Sequence, residues 1–375
     1  MNIQIDGINT QNKGAELMLV AILEEIEQRV PNATVWLNPN GTLDMSMLPN
    51  YKLNIKQRFF LKRGRIFRAI LRRIGLSYSY FTHFHARKGI DIMLDASGFQ
   101  FSDQWKHSDK TLKIREEYYK QLKGFATKIV LMPQAFGPFE TENGKKSVHI
   151  ISKYFDLIFA RERQSYNFLI KAGADVSKVS ESCDFTLKVK GEVPQKYLPL
   201  KGKACIIPNK KMITHTNDGK KNYLLLMDKI IKTINEQGMD VFLLNHEGDG
   251  DFKLCEEINL IFNNKLTIVS DLRAKEVKGV IGISSLVVSS RFHGVASALS
   301  QGVPCLATSW NHKYEMLFND FGQENTILRA NDIMENNIDM VKNVLIRSND
   351  IKKVLIEKKE ERVRDIDIMW SKIFS

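Results

Sequence analysis

Val288–Ser289–Ser290–Arg291–Phe292–His293–Gly294–Val295–Ala296–Ser297–Ala298–Leu299 reads as the end of a strand, a polar turn and the start of a helix. The β-branched run before Ser289 predicts a buried strand, and the small residues after Gly294 let a helix lie close to a sheet. Backbone N–H groups at such a helix start favour an anion. Ser289 and Ser290 add hydroxyl donors, and the Arg291 fork matches a carboxylate or a phosphate. A structural reading pairs Arg291 with an internal acid and makes His293 a satisfied buried imidazole. Ser-Ser-Arg-x-His gathered where a strand ends favours a binding site instead.

The same grammar extends outward along the chain. Strands are predicted at 3–6, 34–37, 90–94, 128–132, 157–160 and 179–183, then at 204–207, 241–244, 266–269, 286–289 and 304–308. Helical periodicity appears between them, as at 15–29, 111–125 and 223–236. This alternation predicts an α/β protein with parallel sheets. The pattern pauses around 190–203, where Gly191, Pro194, Pro199 and Gly202 suggest a linker. A chain of 375 residues exceeds what one core usually supports. The expectation is therefore two doubly wound, Rossmann-like lobes at 1–190 and 203–348, with a charged helix at 349–375 bracing them. Ligands of such sheets bind beyond the strand C-termini, here in a cleft between the lobes.

Bulk properties narrow the function. No window approaches a membrane span, and residues 1–6 lead straight into a strand without a signal peptide. Four scattered cysteines predict free thiols in a reducing compartment, hence a soluble cytoplasmic enzyme. Net charge is +12, but residues 56–90 carry ten cations and no acid, leaving +2 for everything else. A generally basic nucleic-acid binder is not indicated, and no stacking platform accompanies the cations.

Other strand-end loops add candidates. Residues 7–16 hold only Gly7 and Gly14, so neither a dinucleotide fingerprint nor a P-loop is present. The loop still offers Asn12, Lys13 and Glu16, or is a plain polar turn capped near Asn12. Pro133 and Pro138 stiffen a loop presenting Gln134, and Arg161 follows the strand at 157–160. For Arg161 an interlobe salt bridge competes with ligand contact. Asn245–His246–Glu247–Gly248–Asp249–Gly250–Asp251 could supply an acid or base; its aspartates mimic a metal motif but are common in turns.

Taken in order, these loops resemble the polysaccharide pyruvyltransferase family. The resemblance rests on Asn12–Lys13–Gly14–Ala15–Glu16, Asp95–Ala96–Ser97–Gly98, Pro133–Gln134–Ala135–Phe136–Gly137–Pro138, and Ala160–Arg161–Glu162 with Ser165. It continues through Cys183–Asp184, His246, Ser290–Arg291–Phe292–His293–Gly294, Gly302–Val303–Pro304 and Lys313, covering roughly residues 1–325. Two departures stand out. Lys13–Gly14–Ala15–Glu16 replaces a frequent Gly-Asp-Glu, and Pro208–Asn209–Lys210–Lys211 stands where an arginine is common.

The resemblance implies a GT-B-like architecture and transfer of pyruvate from phosphoenolpyruvate to a saccharide, usually as a ketal. No metal or other cofactor is implied. Donor binding would fall to Ser289, Ser290, Arg291, His293, Gly294, Lys210 and Lys211. Catalysis would fall to Arg291 and His293, with His246, Asp184 and Glu16 handling acceptor protons. Asn12, Lys13, Gln134 and Arg161 would meet the acceptor.

Residues 56–76 place Phe59, Phe60, Ile66, Phe67, Ile70, Leu71 and Ile74 on one helical face among cations. That composition suits peripheral contact with the inner membrane face and a lipid-diphosphate-linked acceptor, or equally a core-facing helix with a basic rim. Two rival functions remain: a nucleotide-sugar-dependent glycosyltransferase of the same architecture, and a non-catalytic module docking on a membrane assembly.

Overall fold

A computed structural model describes residues 1–58, 73, 84–214, 219–308, 313–323 and 326–375. Its contacts gather the chain into two units. The first comprises Met1–Thr10, Met18–Phe185 and Ile366–Ser375; the second comprises Gln11–Leu17 and Thr186–Asp365.

The first unit is built on a parallel sheet of β1 (Asn2–Ile8), β2 (Thr34–Pro39), β3 (Asn54–Gln57), β4 (Ile92–Asp95), β5 (Lys128–Gln134), β6 (Leu157–Ala160) and β7 (Val179–Glu181). The strand order is β3-β2-β1-β4-β5-β6-β7. The chain thus leaves β1 in one direction and returns beside it at β4, which creates a switch point between those two strands. Among the described residues four helices provide crossovers: α1 (Lys13–Arg29), α2 (Asp109–Gly124), α3 (Glu142–Tyr154) and α4 (Arg163–Lys171). In α1 every residue from Leu17 to Leu23 is buried, because its apolar residues run nearly all round the helix. The Asn12 side chain caps α1, accepting from the backbone N–H of Gly14 and Ala15 at 2.8 and 3.1 Å.

The second unit repeats the plan with β8 (Ala204–Ile207), β9 (Val241–Leu244), β10 (Thr267–Val269), β11 (Leu286–Ser289), β12 (Cys305–Thr308) and β13 (Ile327–Leu328). Its order, β10-β9-β8-β11-β12-β13, puts the switch point between β8 and β11. Strands β8, β9, β11 and β12 are buried throughout, as parallel strands covered on both faces must be. Among the described residues its helices are the one-turn Lys211–Thr214, α5 (Gly219–Glu236), α6 (Gly248–Ile261), α7 (Ala274–Gly282), α8 (Phe292–Leu299), α9 (Lys313–Asp320), α10 (Met334–Ile346) and α11 (Ser348–Phe374), the last of which runs into the first unit from Ile366.

The predicted α/β class holds, and two strands are added to the expected set. β3 has only Ile55 as an apolar residue, and β13 is two residues long, so neither carries a readable pattern. β3 also takes Lys56 and Gln57 out of the predicted basic helix. The rest of that stretch, apart from Arg58 and Arg73, lies outside the described residues. Among the described residues no helix is long and apolar enough to cross a membrane. All four cysteines are buried free thiols.

Candidate active site

In the second unit, the loops after β8, β9 and β11 and the start of α1 converge. Arg291 stands at the mouth of α8, its side chain largely buried. Its Nε donates to Asp251 at 2.7 Å, a terminal nitrogen meets the same carboxylate at 2.5 Å, and the other donates to Glu247. Asp251 is 1% exposed and also accepts from the Lys210 backbone N–H at 3.0 Å. Burial raises the Asp251 pKa, opposed by Arg291. Glu247 accepts in turn from the Asn12 amide at 3.1 Å. The arginine expected to face an anion is therefore already oriented by two acids, the arrangement that makes a planar fork rigid.

The two serines orient the arginine loop. Ser289 Oγ accepts from the Arg291 N–H at 3.1 Å and donates to the Arg291 carbonyl at 2.9 Å. Ser290, 2% exposed, shares its hydroxyl with Tyr223 at 2.7 Å and with Thr308, while its carbonyl accepts from Asn209 and Tyr314 at 2.9 Å each. Both hydroxyls expected to meet a donor anion are thus committed within the protein. Gly294 serves close packing: a Cβ there would lie 2.4 Å from Ser289 Oγ and 3.1 Å from Ile207.

Basic groups surround Arg291. His246 is 4% exposed, and its Nδ1 has no hydrogen-bond partner among the described residues. Its pKa is driven well below the usual histidine value by burial, then by Arg291, His293 and Lys13. Burial and its cationic neighbours thus both favour the neutral imidazole. Half-burial and then Arg291 lower the Lys211 pKa, whereas Glu247 and Asp251 hold it up. Lys210 is exposed and offers its backbone N–H to Asp251. His293 lies against Gly14, where a Cβ would come within 2.2 Å of its Nδ1. Asn12 and Lys13, expected on the acceptor side, thus belong by contact to this second-unit cluster. Glu16 is fully buried, with one oxygen on Lys13 Nζ at 2.7 Å and the other on the Ala274 N–H at 2.7 Å. It caps α7, and both of its oxygens are committed within the protein.

The other predicted residues lie in the first unit, at the ends of β5, β6 and β7. Gln134 is fully buried; its Oε1 accepts from the Gln100 N–H at 3.2 Å, and its Nε2 has no partner among the described residues. Arg161, 8% exposed, lies between Asp184 at 3.7 Å and Glu162 at 3.9 Å. That pairing stays within the first unit. Beside them the sequence reading missed Asp6, held by Tyr118 at 2.6 Å, Gln4 at 2.7 Å and Asn38 at 2.8 Å. Burial pushes its pKa up to about 6. Asp95, its register partner on β4, is also raised by burial. In the second unit the reading missed Asn209 and Tyr223 and left Asp251 as a metal look-alike. The available signal was position: Asp6, Asp95 and Asn209 stand at strand ends beside the two switch points.

Two Rossmann-like parallel units define the class: an α/β protein with GT-B-like structural neighbours. The fold is similar to Anabaena HepE in complex with UDP-glucose (TM-score 0.58, 12% identity, covering 99% of this chain and 97% of that one). It is also similar to a UDP-N-acetylglucosamine 2-epimerase from Listeria monocytogenes (TM-score 0.56, 12% identity, covering 96% and 90%). A third likeness is to the lipopolysaccharide outer core galactosyltransferase WaaB (TM-score 0.52, 13% identity, covering 100% and 98%). The chain belongs to the polysaccharide pyruvyl transferase family, whose model matches residues 12–312. No curated protein matched the chain.

Proposed function

We propose that the protein transfers a pyruvyl group from phosphoenolpyruvate to a saccharide of a surface polysaccharide or its lipid-linked precursor, forming a ketal without a cofactor. The observation that carries this reading is the basic cluster of Arg291, His246, His293, Lys211 and Lys13 at the N-terminus of α8. Phosphoenolpyruvate has a phosphate and a carboxylate, and needs a pre-oriented guanidinium and helix N–H groups more than a deep apolar pocket. Asp251 and Glu247 engage three of the five Arg291 N–H groups, leaving the rest for the donor.

The chemistry follows from charge. A proton goes to C3 of the donor, C2 gains oxocarbenium character, and a sugar hydroxyl adds there and loses its proton. The C2–O bond to phosphate then breaks, and a second hydroxyl adds to C2 and gives its proton to the released phosphate or to solvent, closing the ketal. His246, neutral for the reasons above, suits acceptance of a hydroxyl proton. His293 is assigned to the departing phosphate or to protonation of C3. Gln134, with its buried uncommitted N–H₂, and Arg161 are the acceptor candidates of the first unit. The basic segment 56–76 is assigned to anionic lipid headgroups at the inner face of a membrane.

Heavy water supplies the test. The expected product carries one solvent deuteron in its ketal methyl group, with one phosphate released per transfer. A second reading is supported by the UDP-glucose bound to HepE: a glycosyltransferase using a nucleotide sugar. Turnover of a nucleotide sugar, with phosphoenolpyruvate inert toward every acceptor, would establish that reading and remove the first.

A further inference from the structure

One face of the first unit carries two adjoining cavities of about 340 and 420 Å³, with Glu142 lining both. Their walls come from the one-turn helix Asp103–Trp105, the residues after it, and helices α2 and α3. Together they present four lysines (Lys106, Lys113, Lys145, Lys146) and four acids (Asp103, Asp109, Glu116, Glu142). In a chain of net charge +12, this balance decides against an anionic polymer or lipid, which needs an excess of cations. The second cavity adds buried apolar surface from Leu112 and Ile150 beneath that rim.

Between Asp103 and Lys106, both of which line the first cavity, the chain carries Trp105, 51% exposed. Its indole N–H donates to the Phe99 carbonyl, and its ring meets Phe99 edge-on at 6.2 Å, so an aromatic face is held in place before any ligand arrives. His107 is fixed through Nε2 to the Gln100 carbonyl at 2.9 Å, and Asn143 Nδ2 donates to the His107 carbonyl at 2.9 Å. That leaves the Asn143 side-chain oxygen and the Lys106 ammonium uncommitted among the described residues. Apolar surface, a fixed aromatic and planar polar groups of both senses suit a ring with apolar faces and hydroxyl edges. The wall also connects to the acceptor candidates: the Gln100 side chain donates to Asp95 and its N–H to Gln134.

We propose that this groove binds a neutral oligosaccharide segment of the acceptor, stacked on Trp105, so that the enzyme grips several sugar residues away from the one it modifies. This rests on the saccharide acceptor proposed above. The full chain, without phosphoenolpyruvate, would be applied to an array of neutral and acidic oligosaccharides. Retention on neutral oligosaccharides is expected, with affinity falling about tenfold in Trp105→Ala and little in Trp105→Phe, since one stacked face is lost or kept. Asn143→Ala should weaken binding in the same direction, and circular dichroism would confirm that each variant is folded. No retention on any neutral oligosaccharide, retention confined to acidic ones, or equal binding by Trp105→Ala would each overturn the groove. Because no donor is present, such a failure leaves pyruvyl transfer standing. Conversely, Trp105-dependent binding with a failed deuterium experiment removes only the transfer.

Discussion

Arg291 has five N–H groups, and the acids that hold it decide which substitution is informative. Truncation to alanine would leave Asp251 buried without its cation, at a cost of about 3–5 kcal/mol, so lost activity could reflect lost structure. Arg291→Lys keeps a cation near Asp251 but presents one point charge where a fork stood. We expect kcat/KM for phosphoenolpyruvate to fall about a hundredfold in that variant, with near-parental circular dichroism. A rate within threefold of the parent would move the donor elsewhere. Asp6 gives a second residue-scale prediction. Its folded pKa of about 6 lies above the ordinary 3.8, so between those values the native state holds a proton that the unfolded chain has released. Stability from this group is therefore full below pH 4 and is lost as pH rises through 6, by about 3 kcal/mol. Asp6→Asn cannot titrate, so the stability of the parent relative to that variant should fall across this window and level off above it. A flat difference from pH 4 to 7 in denaturant titrations would show that Asp6 is not protonated in the fold.

Close approach of elements carries as much of the site as its charges do. Helix α1 can seat His293 only because residue 14 lacks a side chain, and α8 can lie on β8 and β11 only because residue 294 does. Gly14→Ala favours the helix by about 1 kcal/mol of propensity while forcing the imidazole out of its seat. Turnover should fall at least tenfold while the melting temperature holds or rises; unchanged turnover would mean that His293 has no part in the chemistry. The elements themselves were largely legible. β6, β8 and β9 begin and end where their apolar runs do, since a strand buried on both faces writes an unbroken signal. β3 escaped because Ile55 is its only apolar residue, too little to write a pattern at the sheet edge. The site was legible by position only. Strand-end loops announced Arg291, His246 and His293, but pairing of Arg291 with Asp251, forty residues away, leaves no trace in a single sequence. Neither do the caps made by Asn12 and Glu16, whose polarity looks the same whether turned to a ligand or to a neighbouring helix.

Across the whole molecule, charge and topology divide the labour. The six strands of the second sheet repeat the order of the first six in the seven-stranded sheet of the first unit, so each has one switch point where polar residues gather. The second unit gathers Arg291, Lys211, His246 and His293, with Asp251 and Glu247 holding the arginine; the first gathers Asp6, Asp95, Glu162 and Asp184 with Arg161 and Gln134. The proposed division follows: an anionic donor on the basic set, hydroxyl-bearing acceptor groups on the acidic one. Outside these sets the charge is uneven, because residues 56–90 carry ten of the twelve net positive charges. If those cations serve a lipid surface, exchanging Arg65, Arg68, Arg72 and Arg73 for Gln should sharply weaken binding to vesicles containing anionic lipid. Each removed charge is worth about 1 kcal/mol near such a surface, and the parent's binding should fade as salt shortens the Debye length below about 8 Å. Turnover of a short, water-soluble acceptor should survive the same change, because the reacting groups belong to other segments. Equal vesicle binding by parent and variant would assign the segment to the protein's own packing, and loss of turnover on the soluble acceptor would bring it into the catalytic machinery.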